Sequence, residues 1–466
     1  MLVDAAAPVP PESPPLPRRT AVRLLGIALG YFMVLLDMTV LAVAEPDLAR
    51  SFHPSTAGLQ WTVTAYTVTF AAALLSAGAA ADRYGARRVF TVGVVTFGLG
   101  SLACAAAPNL ATLVALRAAL GVAAAACVPA SMAMIAGLYP DPRRRARAVS
   151  VWAAVSGAAV AAGPVLGGVL VAVGGWRAVF LVNVPLAALT CLLVRANAPV
   201  PTLAPASAST GRRPAGSVVQ LAAVAALALG TDAVIALGAG DVVHGAVSLA
   251  GAVVATGVLV VVDGRSSVPL LVRGPGLGPA LVTGAAVNAT LAGVLFVVPL
   301  VLARQAALSP LQTGLAFLPM TVPFAVNPLL TGRLVARHGP WPPLFLGLAL
   351  LATGGLALAG AVHGDALDRA RGFAVLLVAL AALGFGTSFA LPSLVALVIG
   401  VAPPGTAGRA SGLFSAVRQL GASIGVALAG AFVVDAPATG LVALAGLCAV
   451  ALVLLLVAAR RAREAG

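Results

Sequence analysis

Long apolar runs separated by short polar segments dominate this chain of 466 residues. A transmembrane helix needs about 20 consecutive, mostly apolar residues. A window of that length finds fourteen candidate helices, so the pattern predicts an all-α membrane protein with 14 transmembrane helices. The candidates begin near Val22, Leu59, Val89, Leu110, Val149, Val179, Val218, Gly245, Ala280, Gly314, Leu344, Phe373, Ser411 and Leu441.

The composition excludes most classes of soluble protein. Hydrophobic residues make up 61% of the chain and charged residues 9%, with a mean hydropathy of +1.06, whereas a soluble domain is nearer half apolar and a quarter charged. The net charge of +14 is scattered between apolar runs, so no nucleic-acid partner is expected. All 28 basic residues are arginine, which excludes a Walker-type phosphate loop because that loop requires lysine. The cysteines lack metal-ligand spacing, so no metal site is expected.

The arginines predict which way the chain faces, because positively charged residues accumulate in cytoplasmic loops. With a cytoplasmic N-terminus, 21 arginines fall in inside segments and 5 in outside segments. Arg117 and Arg418 fall within spans. We therefore predict that both termini are cytoplasmic, which agrees with an even number of spans.

Two stretches recur along the chain and indicate an internal repeat. The run G-A-A-A-D-R-Y-G from Gly78 to Gly85 is matched 254 residues later by G-R-L-V-A-R-H-G from Gly332 to Gly339. A second set recurs 263 residues later, and each pair is eight spans apart. This separation predicts two six-helix halves of the same orientation with two helices inserted between them. Chance similarity in a glycine- and proline-rich chain is the alternative. The second set is Gly121, Pro129, Gly137 and Pro140, which recur as Gly384, Pro392, Gly400 and Pro403.

The repeat and the polar segments together predict the domain boundaries. Proline-rich composition predicts disorder before the first span. The predicted units are a disordered cytoplasmic tail (1–20), an N-terminal six-helix bundle (21–196), a cytoplasmic linker (197–216), two inserted helices (217–263), a second cytoplasmic linker (264–279), a C-terminal six-helix bundle (280–460) and a cytoplasmic tail (461–466).

Short motifs occupy characteristic places in these spans. Span one reads L-D-M-T-V-L-A-V-A-E-P from Leu36 to Pro46, and span four carries R-x-x-x-G from Arg117 to Gly121. Span five carries G-P-V-L-G-G, followed by W-R-A-V-F-L-V-N-V-P from Trp176 to Pro185. The motif residues of span five are Gly163, Pro164, Gly167 and Gly168, and those of the loop after span two are Gly78, Asp82, Arg83, Gly85, Arg87 and Arg88.

These motifs resemble those of the major facilitator superfamily, and more closely those of its fourteen-span drug:proton antiporters, which are multidrug efflux transporters. The resemblance runs from about Arg23 to Arg460. It implies two parallel, pseudo-symmetric bundles in a bacterial plasma membrane that export drugs by alternating access, driven by the proton gradient without a cofactor. Departures from the family pattern include Ala159 in place of glycine, Ala42 in place of asparagine and Glu45 in place of leucine.

The resemblance also implies roles for single residues. The loop motif would form a gate in which Asp82 accepts hydrogen bonds and Gly78 lets two helices approach closely; a positively charged loop with a turn glycine is the alternative. Arg117 would take part in proton coupling, or else snorkel to an interface. The glycines and proline of span five would form the antiporter motif, a closely packed hinge between the halves.

Asp37 and Asp232 are the acids placed well within spans. A carboxylate held away from water is protonated more readily than one in water, so we predict Asp37 as the leading proton carrier, with Arg117 as its partner and a cationic drug competing with the proton. A structural acid satisfied by Thr39 or Arg117 is the alternative. Asp232 lies in an inserted helix and is expected to be accessory. Other candidates for substrate contact or accessory roles are Thr39, Arg418 and Gln419, the last two interpreted as a polar packing network.

The span composition favours a lipophilic toxic compound, with or without a positive charge, because few polar groups are available to orient a sugar or phosphate. We expect a functional monomer whose partners are this small molecule, protons and the lipid bilayer, and we expect no enzymatic activity. A proton-coupled uptake symporter, a permease subunit of an ATP-driven system and a membrane enzyme are the alternatives.

Overall fold

We analysed the protein as a computed structural model, which describes residues 18–195, 214–264, 276–363, 367, 370–402 and 407–464. These residues form an all-α protein. Its helices are α1 (Arg18–Phe52), α2 (Thr56–Tyr84), α3 (Ala86–Ala105), α4 (Leu110–Leu138), α5 (Pro142–Leu181), α6 (Asn183–Arg195), α7 (Pro214–Gly238), α8 (Val242–Gly264), α9 (Leu277–Gln305), α10 (Pro310–Ala316), α11 (Leu318–His338), α12 (Trp341–Ala361), α13 (Ala370–Val401), α14 (Ala407–Ala431) and α15 (Pro437–Glu464).

Local sequence signals explain where several helices begin. A polar side chain at the N-cap satisfies a free backbone amide of the first helical turn. Ser55 accepts from the Gly58 amide at the start of α2, and Asn109 accepts from the Thr112 amide at the start of α4. These caps lie in the short connections between α1 and α2 and between α3 and α4.

Within the described residues, ten helices are long and apolar enough to cross a membrane, or eleven if a bent pair within 56–84 is one span. Every predicted span start lies in or next to a helix, but predicted span two contains this bent pair, and two further spans are divided between helices. Predicted span six is divided between the end of α5 and the 13-residue α6, because Gly174 and Gly175 interrupt helical geometry. Predicted span ten is divided between the seven-residue α10 and α11.

The helices run alternately between two ends of the molecule. We call the end holding Arg18, Gly85 and Arg460 the terminal face, and the end holding Ser55 and Trp176 the distal face. α1–α6 and α9–α15 form two packed groups that share a core, while α7 and α8 pack on each other and α7 contacts α2 and α14. The predicted tails and linkers lie wholly or partly outside the described residues, which omit 1–17, 196–213, 265–275 and 465–466.

Equivalent glycines of the sequence repeat have equivalent surroundings. Gly85 and Gly339 both follow a helix with positive φ, at 90° and 79°, which glycine adopts without a steric cost. A methyl group at Gly121 would overlap the Tyr66 carbonyl of α2, and one at Gly384 would overlap the Met320 carbonyl of α11. Each half therefore repeats the same turn and the same close helix pair.

The two halves contact each other toward the distal face. Gln60, near the start of α2, donates through Nε2 to the carbonyl oxygens of Val426 (3.1 Å) and Ala427 (2.8 Å) in α14. The hydroxyl groups of Thr67 and Ser423 are hydrogen-bonded at 2.8 Å. These buried bonds hold α2 against α14 in the distal half of the molecule.

Candidate transport site

Asp37 and Arg117 form an ion pair inside the N-terminal half. Arg117 Nη1 bonds to Asp37 Oδ2, and neither side chain is more than 1% exposed. Asn183 donates through Nδ2 to the other carboxylate oxygen at 2.9 Å and to Ser101 Oγ at 3.2 Å. Helices α1, α4 and α6 therefore meet at a buried carboxylate with a partner on each oxygen.

Arg117 is held from several sides. Its Nε donates to the carbonyl oxygen of Thr62 at 3.0 Å. Its guanidinium carbon lies 4.4 Å from the ring centre of Tyr66 and 5.9 Å from that of Phe180, distances at which an aromatic face attracts a cation. A buried charge is stable only when its partner and its hydrogen bonds are in place, so a change of charge at Asp37 is felt directly by Arg117.

A cavity of about 390 Å³ lies between the two halves. Arg117 lines this cavity, whereas Asp37 is not among its lining residues. Asp37 instead faces Arg117 of α4 and Asn183 of α6. The expectation that a drug and a proton compete directly for Asp37 therefore does not fit the geometry, because Arg117 stands at the cavity wall and Asp37 lies behind it. On α1 the lining residues are Tyr31, Leu35, Met38, Thr39, Ala42 and Glu45.

Thr39 and the span-five glycines form a tight crossing between α1 and α5. The Thr39 hydroxyl donates to carbonyl oxygens of its own helix, 3.1 Å away. A methyl group at Gly163 would overlap Thr39, and one at Gly167 would lie 2.8 Å from the Val40 carbonyl oxygen. Thr39 also lines the cavity, but its hydroxyl already has partners within α1.

The rest of the span-five motif contacts the other half. Gly314 of α10 lies directly against the carbonyl of Pro164, and a methyl group at Gly168 would lie 2.5 Å from the Pro310 carbonyl oxygen. Helices α5 and α10 thus pack backbone to backbone toward the distal face. Pro164 and Gly168 therefore sit where a movement of one half past the other would have to open or close a contact, whereas Gly163 and Gly167 pack against α1 within the same half.

Arg418 and Gln419 of α14 take part in a polar packing network and also line the cavity. Asn288 of α9 donates to the Arg418 carbonyl at 2.9 Å and to Gln419 Oε1 at 3.4 Å. Arg418 Nη2 in turn lies 3.4 Å from Asn288 Oδ1. All three residues also line the cavity, so they are available to a ligand as well as to each other.

The loop motif lies at the terminal face, away from the cavity. Asp82, Arg83 and Arg88 are exposed, Arg87 is half-buried, and the Arg83 guanidinium lies 5.3 Å from the Tyr84 ring centre. Gly85 makes the turn that its sequence predicted. A methyl group at Gly78 would sit 3.9 Å from Pro129, an ordinary contact. The close approach expected at Gly78 is therefore not present here, since α2 and α4 are far enough apart at this level to admit a side chain.

Asp232 belongs to a separate cluster in the inserted pair. Ser248 Oγ donates to its Oδ2 at 2.6 Å, and His244 Nε2 lies 2.7 Å from the same oxygen. The Asp232 side chain is 24% exposed. This cluster joins α7 to α8 and contributes no residue to the cavity wall.

Sequence reasoning did not single out three groups that complete the site. Asn183 lies within the quoted span-six motif, which was its available signal. Ser101 and the Thr62 carbonyl carry no motif, because their role arises only when α2, α3 and α6 pack around Asp37 and Arg117. Glu45 was visible as a departure from the family pattern, and the structure adds that it lines the cavity.

Two packed groups of apolar helices enclose a central cavity, an arrangement typical of membrane transporters. Comparison with known proteins makes the class specific. Residues 27–368 and 280–466 match the family model described as Major Facilitator Superfamily. The chain belongs to the major facilitator superfamily and is a multi-pass membrane protein.

Bacterial relatives of similar sequence support this membership, and a solved structure has the same fold. Multidrug resistance protein Stp of Mycobacterium tuberculosis is 34% identical over 422 residues, covering 89% of this chain and 76% of the relative. Drug efflux pump JefA of the same species is 34% identical over 425 residues, covering 89% and 80%. An inward-facing, unoccupied crystal structure of a bacterial homologue of the human lysosomal transporter Spinster superimposes with a TM-score of 0.69 at 16% identity, covering 96% of this chain and 98% of that one.

Proposed function

We propose that this protein is a proton-coupled efflux transporter that exports lipophilic drugs or toxic natural products by alternating access. The observation that carries the proposal is the buried Asp37–Arg117 pair, in which Arg117 lines a mostly apolar cavity and Asp37 lies behind it. An apolar cavity with a few polar groups binds amphipathic organic molecules by burial. The names of the relatives, a multidrug resistance protein and a drug efflux pump, support export as the direction.

Coupling follows from the electrostatics of the pair. When Asp37 is ionised, it holds Arg117 in the N-terminal half. When Asp37 is protonated, that attraction is lost, and Arg117 is free to change its contacts at the cavity wall. A ligand or proton shifts a conformational equilibrium only by the difference between its binding free energies for the two states. Removing one partner of a buried charge pair costs about 3–5 kcal/mol of stability, so loss of the charge on Asp37 can shift the equilibrium by several kcal/mol.

The backbone contacts between the halves provide the moving parts. Gly168 and Gly314 join α5 to α10, and Gln60 joins α2 to α14, all toward the distal face. Breaking these contacts while the terminal face closes would expose the cavity to the distal side. This is the rigid-body exchange expected of two related bundles around a fixed site.

The membrane arrangement completes the proposal. In this proposal the chain crosses the membrane fourteen times, as six, two and six spans with the domain boundaries predicted above. The end of α5 and α6 together form one kinked span, and α10 and α11 together form one divided span. The arginine distribution supports cytoplasmic termini, so the terminal face is the cytoplasmic face of a bacterial plasma membrane. Each copy holds its own cavity, so a monomer is the functional unit.

A drug-susceptibility panel in a pump-deficient bacterial host, with and without the gene, tests this function. We expect higher tolerance of lipophilic compounds in the expressing cells and loss of extrusion when an uncoupler dissipates the proton gradient. Proton-dependent accumulation inside the cell would instead indicate an uptake symporter. Extrusion that depends on ATP while the proton gradient is clamped would exclude proton coupling.

A further inference from the structure

Glu45 is a buried carboxylate that forms no ion pair within the part of the chain that the structure describes. Its residue exposure is 1%, and Oε2 has no hydrogen-bond partner among the described residues. Asp37 is equally buried but has Arg117 and Asn183, one on each oxygen. Glu45 therefore differs from Asp37, because none of the described residues supplies a cation or a hydrogen-bond donor to its Oε2.

Glu45 lies on the face of α1 that lines the transport cavity. Residues 31, 35, 38, 42 and 45 all line this cavity and are spaced by three or four, which is one face of a helix. Asp37 is off this face. Eight residues separate it from Glu45, about 12 Å along the axis at 1.5 Å per residue. The two acids thus have separate surroundings, one inside the N-terminal half and one at the cavity wall.

The other charged and titratable groups that line the cavity leave Glu45 uncompensated. Arg117 is committed to Asp37 and the Thr62 carbonyl. Arg418 touches the neutral Asn288 at 3.4 Å, and within the described residues no ion pair joins it to Glu45. The remaining titratable groups at the wall are the tyrosines Tyr31 and Tyr66.

Aromatic rings supply the apolar part of the cavity. The rings of Tyr31 and Trp152 are stacked with centroids 4.5 Å apart, and those of Tyr66 and Phe70 lie 6.0 Å apart. Both pairs line the cavity. Aromatic faces attract cations when water is excluded.

We propose that Glu45 is the residue that selects cationic substrates, by pairing its carboxylate with the positive group of a lipophilic cation in the cavity. An ionised carboxylate buried without a partner is costly, and either a proton or a substrate cation removes that cost. The two therefore exclude each other: the cation binds as the carboxylic acid releases its proton to water. This inference rests on the proposed export function, and it adds a second acid that touches the substrate while Asp37 acts through Arg117.

Binding of tetraphenylphosphonium, a permanent lipophilic cation, to the purified full-length protein tests the proposal without a gradient or cells. For the wild type we expect proton release into a weakly buffered solution on binding, and affinity that falls as pH is lowered from 8 to 6, at least about tenfold. Glu45→Gln should lose at least about tenfold in affinity and lose the pH dependence. Glu45→Asp should retain part of both.

A neutral lipophilic dye, Nile red, provides the control for folding and cavity integrity. Glu45→Gln and Glu45→Leu should bind it within about twofold of wild type. Wild type that does not bind tetraphenylphosphonium would overturn the proposal, as would Glu45→Gln that binds it with wild-type affinity and pH response. Failure of the export function would appear separately, as wild-type cells that gain no drug tolerance although the purified protein binds the cation.

Discussion

Asn183 of α6 donates a hydrogen bond of 2.9 Å to the Asp37 oxygen that Arg117 leaves free. Replacing Asn183 by alanine removes a donor to a buried carboxylate, an interaction worth about 1.5–3 kcal/mol. We expect a lower thermal unfolding midpoint in detergent and an altered pH dependence of drug efflux.

Asn327 offers a matched control in the other half. It is buried and donates to Ser388 Oγ at 2.7 Å, but its partner is neutral. Asn327→Ala should lower stability by about 0.5–1.5 kcal/mol and leave the pH dependence of efflux unchanged. If the two variants shift the pH profile equally, the hydrogen bond from Asn183 to Asp37 does not influence proton coupling.

The energy of the Asp37–Arg117 pair can be measured by a double-mutant cycle. Arg117→Met leaves an unpaired buried carboxylate and should destabilise the protein by about 3–5 kcal/mol. The double variant Asp37→Asn with Arg117→Met should be less destabilised than the sum of the single changes. The measurement is the free energy of unfolding in mixed micelles. Additive effects would mean that the two side chains do not depend on each other.

The contact between α5 and α10 should control opening of the distal face. A side chain at Gly168 meets the Pro310 carbonyl oxygen at 2.5 Å and Leu311 Cα at 2.8 Å. We therefore expect Gly168→Val to force the distal halves apart and raise the labelling rate of a cysteine introduced at Thr313. Gly360→Val is the matched control, because nothing lies within 4 Å of a methyl group there. Unchanged labelling in Gly168→Val would reject a gating role.

Asp232 should be dispensable for coupling. It bonds to Ser248 and His244 within the inserted pair, outside the cavity. Asp232→Asn should keep uncoupler-sensitive efflux within about twofold of wild type, measured as initial rates in energised cells at matched expression. Complete loss of efflux would mean that the inserted helices take part in proton movement.

Much of the fold could be predicted because membrane helices have a strong local signal. Apolar length placed every predicted span start in or next to a helix, and the repeated glycines Gly85 and Gly339 share a turn with positive φ. The irregular spans could not be predicted from hydropathy. Gly174 and Gly175 lie within an apolar run, and only their backbone angles reveal the break in α5.

The site was partly predictable for a different reason. A lone acid such as Asp37 in an apolar span is conspicuous, and its helix must bury it. Which face of α1 it occupies depends on packing against α4 and α6, so the sequence could not reveal that Asp37 lies behind the cavity wall while Glu45 lines it. Asn183 was equally hidden, because an asparagine in a motif gives no indication of its partner.

Proton movement by the purified protein tests the central claim most directly. Wild type and Asp37→Asn would be reconstituted in liposomes at equal density, and drug-dependent proton flux followed with an internal pH-sensitive dye. The buried pair predicts drug-dependent flux in wild type and a loss of at least about tenfold in Asp37→Asn, with drug binding retained. Wild-type proton flux in Asp37→Asn would contradict the assignment of Asp37 as the proton carrier.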